Sequence, residues 1–287
     1  MIFKEVSTPK DHMLVTENNN FTWLTWSDDF RKEHKTFQKQ LALVKSIDII
    51  KLNQYKSESY SLALERLDKG FLKDFRYYAE SLRHFDPDNR IIFFSNLIDK
   101  KINGKIFHFL FAAFRSVIAD AAKNKMGALY IPLIAGKNIS ELPLHCDLFF
   151  PKILFNVFER VSKDNSGHST FLKLNHLFEN ILPEIKFMPI KVKHKIKQIF
   201  NSVTKKDKYW DVMNLLYNEK HLWAEETAYR LNNDKFRIKF SKGEGYMIND
   251  KIWMHGRDHT NGGVSIKRLH RLAFANIINP LVLNQED

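Results

Sequence analysis

Cysteine is almost missing from this chain of 287 residues: Cys146 is the only one. One thiol excludes an internal disulfide framework and any cysteine-based zinc cluster, and it suits a reducing compartment. Glycine (10) and proline (8) are also scarce. That excludes a collagen-like or low-complexity chain and leaves no segment rich enough in Gly, Pro or Ser to act as a linker between independent domains. Long apolar runs are absent too. The longest, Ile106 to Phe114, is interrupted by His108 and stopped by Arg115, whereas a membrane span needs roughly 20 apolar residues. Met1 to Val6 carries Lys4 and Glu5 and lacks the apolar stretch of a secretory signal. The expectation is a soluble, cytoplasmic protein with no membrane partner.

Hydrophobic residues make up 44% of the chain and charged residues 27%, enough to bury a sizeable core. Basic residues outnumber acidic ones, 45 to 33, for a net charge of +12. Such a surplus fits either a nucleic-acid partner or lysine used as a default surface residue. Its densest stretch, Lys186 to Lys208, mixes Ile, Phe and Val with Lys at roughly helical spacing. It reads as an amphipathic surface helix, and no helix-turn-helix, zinc-finger or aromatic RNA-binding signature accompanies it. A basic nucleic-acid-binding protein is therefore the rival reading, not the main one.

Helical patterns are expected over Phe30 to Val44, Ser57 to Leu82 and Lys105 to Ala122. Short apolar runs follow at Gly127 to Leu133, Glu141 to Phe150 and Ile153 to Phe158 and read as strands. Leu172 to Leu231 returns to helix, and the remainder, through Tyr246 to Ile248, Ile252 to His255 and Ile266 to Phe274, is strand-like again. The chain is thus expected to be α+β. Residues 1–126 form a helical N-terminal region packing on a core of residues 127–287, with a helical insertion at about 174–232, all in one structural unit.

With no cysteine cluster, metal chemistry would fall to His, Asp and Glu. Two His-x-Asp triplets occur. His84-Phe85-Asp86 ends a helical pattern beside Pro87 and reads as a helix terminus. His145-Cys146-Asp147 lies inside the apolar run Leu142 to Phe150. Residues two apart on a strand share a face, so His145 and Asp147 project together and Cys146 points away. An imidazole and a carboxylate on an apolar face are costly unless paired or metal-bound. A buried His–Asp hydrogen bond and a metal site both meet that need. A further histidine stands at the end of the strand–turn–strand pattern Tyr246 to Asp258, as His255 in Trp253-Met254-His255-Gly256-Arg257. Two histidines and one carboxylate are the ligand set that leaves open positions on non-haem Fe(II).

These segments, with the closing Arg268-Leu269-His270-Arg271-Leu272-Ala273-Phe274, resemble the Fe(II)/2-oxoglutarate-dependent dioxygenases, of the group that includes the taurine dioxygenase and clavaminate synthase types. The resemblance covers roughly Gly127 to Phe274. It implies a double-stranded β-helix (jelly-roll) core. It implies Fe(II) held by His145, Asp147 and His255, 110 residues separating the two histidines. It also implies an arginine that binds the distal carboxylate of 2-oxoglutarate. Arg268 and Arg271, 13 and 16 residues after His255, compete for that role, and strand alternation puts them on opposite faces. Thr170, 25 residues after His145, is the candidate for a hydrogen bond to 2-oxoglutarate. Arg257 is either a strand-end surface charge or part of the pocket, and His168 and His270 are read as non-ligands. The filled carboxylate position at Asp147 favours hydroxylation over halogenation. The implied reaction uses O2 and 2-oxoglutarate, yields succinate and CO2, and hydroxylates an unactivated C–H of a small molecule, an amino acid first among the candidates and a peptidyl or carrier-bound substrate the alternative.

Overall fold

The computed structural model describes residues 4–6, 13–17, 20–26, 90–95, 127–134, 141–147, 153–161, 166–201, 208–259 and 268–275. The helical expectations over 30–44, 57–82 and 105–122, and His84-Phe85-Asp86, lie outside the described residues.

Twelve strands are described: β1 (Lys4–Val6), β2 (Met13–Glu17), β3 (Phe21–Trp26), β4 (Ile91–Ser95), β5 (Gly127–Ile134), β6 (Leu142–His145), β7 (Ile153–Arg160), β8 (Ser169–Lys173), β9 (Phe236–Ile238), β10 (Gly245–Asn249), β11 (Trp253–Arg257) and β12 (Arg268–Ala275). They form an eight-stranded sheet in the order β1-β2-β3-β4-β10-β7-β12-β5 and a four-stranded sheet in the order β6-β11-β8-β9. All the strand pairs are antiparallel except the parallel pair β3–β4. The chain is α+β. From β5 to β8, and again from β10 to β12, successive strands alternate between the two sheets.

One expectation needs correction. The region 1–126 is not helical throughout: it supplies β1 to β4, and β4 pairs directly with β10. A boundary at residue 126 therefore cuts through one hydrogen-bonded sheet. The reason is length. Ile91–Ser95 is a five-residue run whose residues are all buried, and a run that short carries no period to separate strand from helix.

The sheets face each other across an aromatic core. Phe93 and Tyr246 of the large sheet meet Phe171 of the small one, with ring centroids 5.6 and 4.8 Å apart and both pairs edge-to-face. Phe158, Phe240 and Trp253 join the same cluster. Such pairs contribute about 0.5–1.5 kcal/mol each beyond the burial itself.

The other face of the small sheet is covered by the helical insertion. It begins with Leu174–His176, Leu177–Ile181 and Leu182–Glu184 and continues through α1 (Ile190–Asn201), α2 (Lys208–Tyr217) and α3 (Ala224–Asp234). Leu144, Cys146, Leu172 and Met254 of the sheet pack there against Leu177, Ile181, Ile196 and Leu216. Each Leu or Ile buried this way contributes about 1.5–3 kcal/mol. α1 is amphipathic as expected, with Ile196 and Phe200 buried. Its Lys193 closes off the preceding helical stretch, where Nζ donates to the carbonyls of Pro183 and Ile185 at 3.0 and 2.8 Å. Carbonyls at a helix end lack partners within the helix, and a lysine supplies them. Among the described residues no helix is long and apolar enough to cross a membrane.

Candidate metal centre

β6 and β11 are neighbours, and their register sets His145 directly opposite His255. Paired residues on adjacent antiparallel strands share a face, and the two imidazole centroids lie 4.4 Å apart. Asp147, two residues beyond His145, falls on the same side. Leu144 and Cys146 turn to the helical side, where the Cys146 thiol donates to the Trp253 carbonyl at 3.6 Å. One nitrogen from each histidine and one Asp147 oxygen all lie within 4.8 Å of one another. Among the described residues this is the one His/Asp/Glu/Cys group with such geometry.

The hydrogen bonds set the tautomers. A carbonyl only accepts, so the 2.8 Å contact between His145 Nδ1 and the Pro143 carbonyl puts a ring proton on Nδ1 and turns Nε2 toward the cluster. That Nε2 is 3.4 Å from Asp147 Oδ1. A guanidinium only donates, so the 3.2 Å contact from Arg271 Nη2 puts a lone pair on His255 Nε2. That Nε2 is 3.8 Å from Asp147 Oδ2. Both imidazoles thus turn Nε2 toward one carboxylate.

Arg271 reaches the cluster from β12 in the opposite sheet. Its Nη1 donates to Asp147 Oδ2, and its Nε donates to Asn156 Oδ1 at 2.9 Å. Arg271 and Asn156 are register partners, and Asn156 is in turn opposite Tyr246. One polar row therefore crosses the inner face of the large sheet beside the aromatic core. Burial raises the Asp147 carboxyl pKa, but the Arg271 charge, with His255 and His145, outweighs it and holds the group well below the usual carboxylate range. Burial pulls His255 down to about 4, opposed by Asp147 and reinforced by Arg271. Burial pushes the Tyr246 hydroxyl up to about 12. At neutral pH the His255 imidazole is therefore neutral and the Asp147 carboxyl ionised.

The expected residues do not all converge. His145, Asp147, His255 and Arg271 come together. Arg268 opens β12 opposite Ile134 and Arg160, and its side chain lies outside the described ones. Thr170 is the one that departs. It pairs with Gly256, not with His255, and its Oγ1 would lie 2.8 Å from a Cβ built on Gly256. Its side chain is therefore on the face opposite His255, toward the helical insertion. An offset of 25 residues from His145 carries no information about which face of β8 a residue occupies. Arg257 is half-buried in the sheet two residues beyond His255, and burial lowers its pKa.

Sequence reasoning misses two residues of the site. Asn156 is the one polar residue in the run Ile153 to Phe158 and is fully buried. That isolation is a visible signal. Asp250 reads in the sequence only as part of a turn, yet it is fully buried and its Oδ1 is 3.2 Å from His255 Nδ1.

No protein-family model and no curated protein matches the sequence. The fold is similar to several solved iron oxygenases. One is an asparagine oxygenase in complex with Fe(II), 2S,3S-3-hydroxyasparagine and succinate, 12% identical, with 83% of this chain and 92% of that one covered and a TM-score of 0.42. Another is PvcB, an Fe, α-ketoglutarate-dependent oxygenase from an isonitrile synthetic pathway, 8% identical over 94% of both chains, with a TM-score of 0.44. A third is the non-haem iron oxygenase OrfP in complex with Fe and α-ketoglutaric acid, 11% identical over 87% of this chain and 92% of that one, with a TM-score of 0.43.

Proposed function

We propose that the protein is an Fe(II)/2-oxoglutarate-dependent oxygenase that hydroxylates an unactivated C–H bond of a small molecule, with a free amino acid as the substrate class. The observation that carries the proposal is the convergence of His145 Nε2, His255 Nε2 and the Asp147 carboxylate within 4.8 Å, beside the Arg271 guanidinium. The alternation of strands between two sheets fits a double-stranded β-helix core, with β6 and β11 as the ligand-bearing strands.

The donor set fits the metal. Two imidazoles and one carboxylate suit Fe(II), and three protein ligands leave coordination positions for other molecules. His145 is fixed from behind by the Pro143 carbonyl, and at His255 Nε2 Fe(II) would take the place of the Arg271 Nη2 contact. Bound there, Fe(II) supplies O2 activation coupled to the conversion of 2-oxoglutarate to succinate and CO2. The chain's own residues bind and orient. Arg271 is the anchor for the distal carboxylate of 2-oxoglutarate, because a guanidinium donates through several nitrogens at once. Asn156 holds Arg271 Nε so that Nη1 and Nη2 face the site. Asp147 divides its oxygens, Oδ1 toward His145 and Oδ2 toward Arg271. The aromatic core lies beside the row Tyr246–Asn156–Arg271.

The test is succinate formation by anaerobically purified protein given Fe(II), 2-oxoglutarate and O2 with a panel of free amino acids. Amino-acid-stimulated succinate that disappears in His255→Ala is expected. Succinate without stimulation, still lost in the variant, moves the substrate to a peptidyl or carrier-bound molecule. Absence of succinate under every condition overturns the oxygenase proposal.

A further inference from the structure

Asp250 is fully buried, and neither carboxylate oxygen has a straight hydrogen bond among the described residues. A carboxylate in that position is costly unless something repays its desolvation. The group facing it is His255 Nδ1, 3.2 Å from Oδ1, which likewise lacks a straight hydrogen bond. Arg271 already puts the lone pair of His255 on Nε2, so the ring proton sits on Nδ1, the nitrogen beside Asp250. The local chain explains how Asp250 gets there. It follows Tyr246 and Ile248 at two-residue spacing along β10, so it continues their inward face. The turn after it is pinned by Lys251 N–H donating to Asn249 Oδ1 at 2.9 Å and Ile252 N–H donating to the Asn249 carbonyl at 3.0 Å. The turn carries the chain from the large sheet to the small one, and Asp250 is left behind the imidazole of the next strand.

We propose that Asp250 is a positioning residue for the metal. Its carboxylate accepts the His255 Nδ1 proton, fixes the ring so that Nε2 faces Asp147, and raises the basicity of that nitrogen toward a divalent cation. The inference rests on the metal-centre reading above. The two histidines are then matched: a backbone carbonyl stands behind His145 and a carboxylate behind His255. Because Asp250 and His255 straddle a turn between the two sheets, metal binding also ties the sheets together there.

The test compares wild type, Asp250→Asn and Asp250→Ala, with His255→Ala as reference. Two quantities are measured: Co(II) affinity by anaerobic titration, following the visible Co(II) absorption, and the melting temperature of the metal-free proteins. Loss of such a carboxylate behind a ligating histidine typically weakens binding about 10–100-fold. We expect Asp250→Asn to bind Co(II) about tenfold more weakly with an altered Co(II) spectrum, and Asp250→Ala more weakly still. Metal-free Asp250→Asn should melt no lower than wild type, because it replaces a buried carboxyl with a neutral group of the same volume. A purely structural Asp250 gives the opposite pair: a lower melting temperature with unchanged Co(II) affinity and spectrum. That result, with binding still lost in His255→Ala, overturns the inference and leaves the metal centre intact. Wild type that binds no Co(II) overturns both. If Asp250→Ala does not fold, the isosteric Asp250→Asn decides alone.

Discussion

Arg271 makes three contacts that no other side chain could make together: Asn156 Oδ1, Asp147 Oδ2 and His255 Nε2. Lysine has one nitrogen and cannot reproduce that fork. If Arg271 anchors 2-oxoglutarate, Arg271→Lys should raise the KM for 2-oxoglutarate about tenfold or more, since a charge-assisted hydrogen bond contributes about 1.5–3 kcal/mol. Arg268→Lys should leave that KM unchanged; steady-state kinetics on both variants decides between the two arginines, and the reverse pattern assigns the role to Arg268. At this scale the sequence is informative wherever spacing alone determines direction. His145 and Asp147 share a face because they are two apart on a strand, and Cys146 faces away for the same reason. It is uninformative where partnership depends on another strand. Asp250 looks like a turn residue until the turn is seen to cross between sheets, and Thr170 looks well placed until Gly256, not His255, is found opposite it.

β11 is the element on which the site depends. Gly256 lets it lie close to β6: a Cβ there would stand 2.7 Å from the Leu142 carbonyl oxygen and 3.1 Å from the Leu144 nitrogen. These are backbone atoms of the strand that carries His145, so they cannot swing aside. Gly256→Ala should therefore cost about 1–3 kcal/mol as overpacking, and metal affinity should fall with it because β11 is pushed away from β6. Thermal melting and a Co(II) titration of the variant check this; a stable variant with unchanged affinity contradicts the tight β6–β11 pairing. The helical insertion is tied to the same strand by Tyr217, whose hydroxyl donates to the Leu144 carbonyl at 3.0 Å. Tyr217→Phe should lose about 0.5–1.5 kcal/mol of stability with metal affinity unchanged, since Leu144 faces away from the cluster. Urea unfolding and the same titration measure both. The insertion is legible from its helical spacing, and β5 to β7 from their short apolar runs. β1 to β4 are not, because short runs such as Ile91–Ser95 owe their strand form to neighbours far along the chain.

For the whole molecule, the organising feature is a chain that passes repeatedly between two sheets and buries an aromatic core between them. The abundance of Phe, 24 residues, hints at such a core, but which Phe meets which depends on strand order and cannot be read from spacing. At one edge of that core polar groups replace the aromatic ones: His145, Asp147, His255, Asp250, Asn156 and Arg271. These groups come from β6 and β11 of the small sheet, from β7 and β12 of the large one, and from the turn between β10 and β11. The central claim is that this convergence holds one metal ion. Anaerobic equilibrium dialysis against Fe(II) tests it most directly. Wild type should bind one equivalent, and His145→Ala, Asp147→Ala and His255→Ala should each lose it while remaining folded by circular dichroism. Equal Fe(II) binding by wild type and all three variants, or none by wild type, would contradict the account.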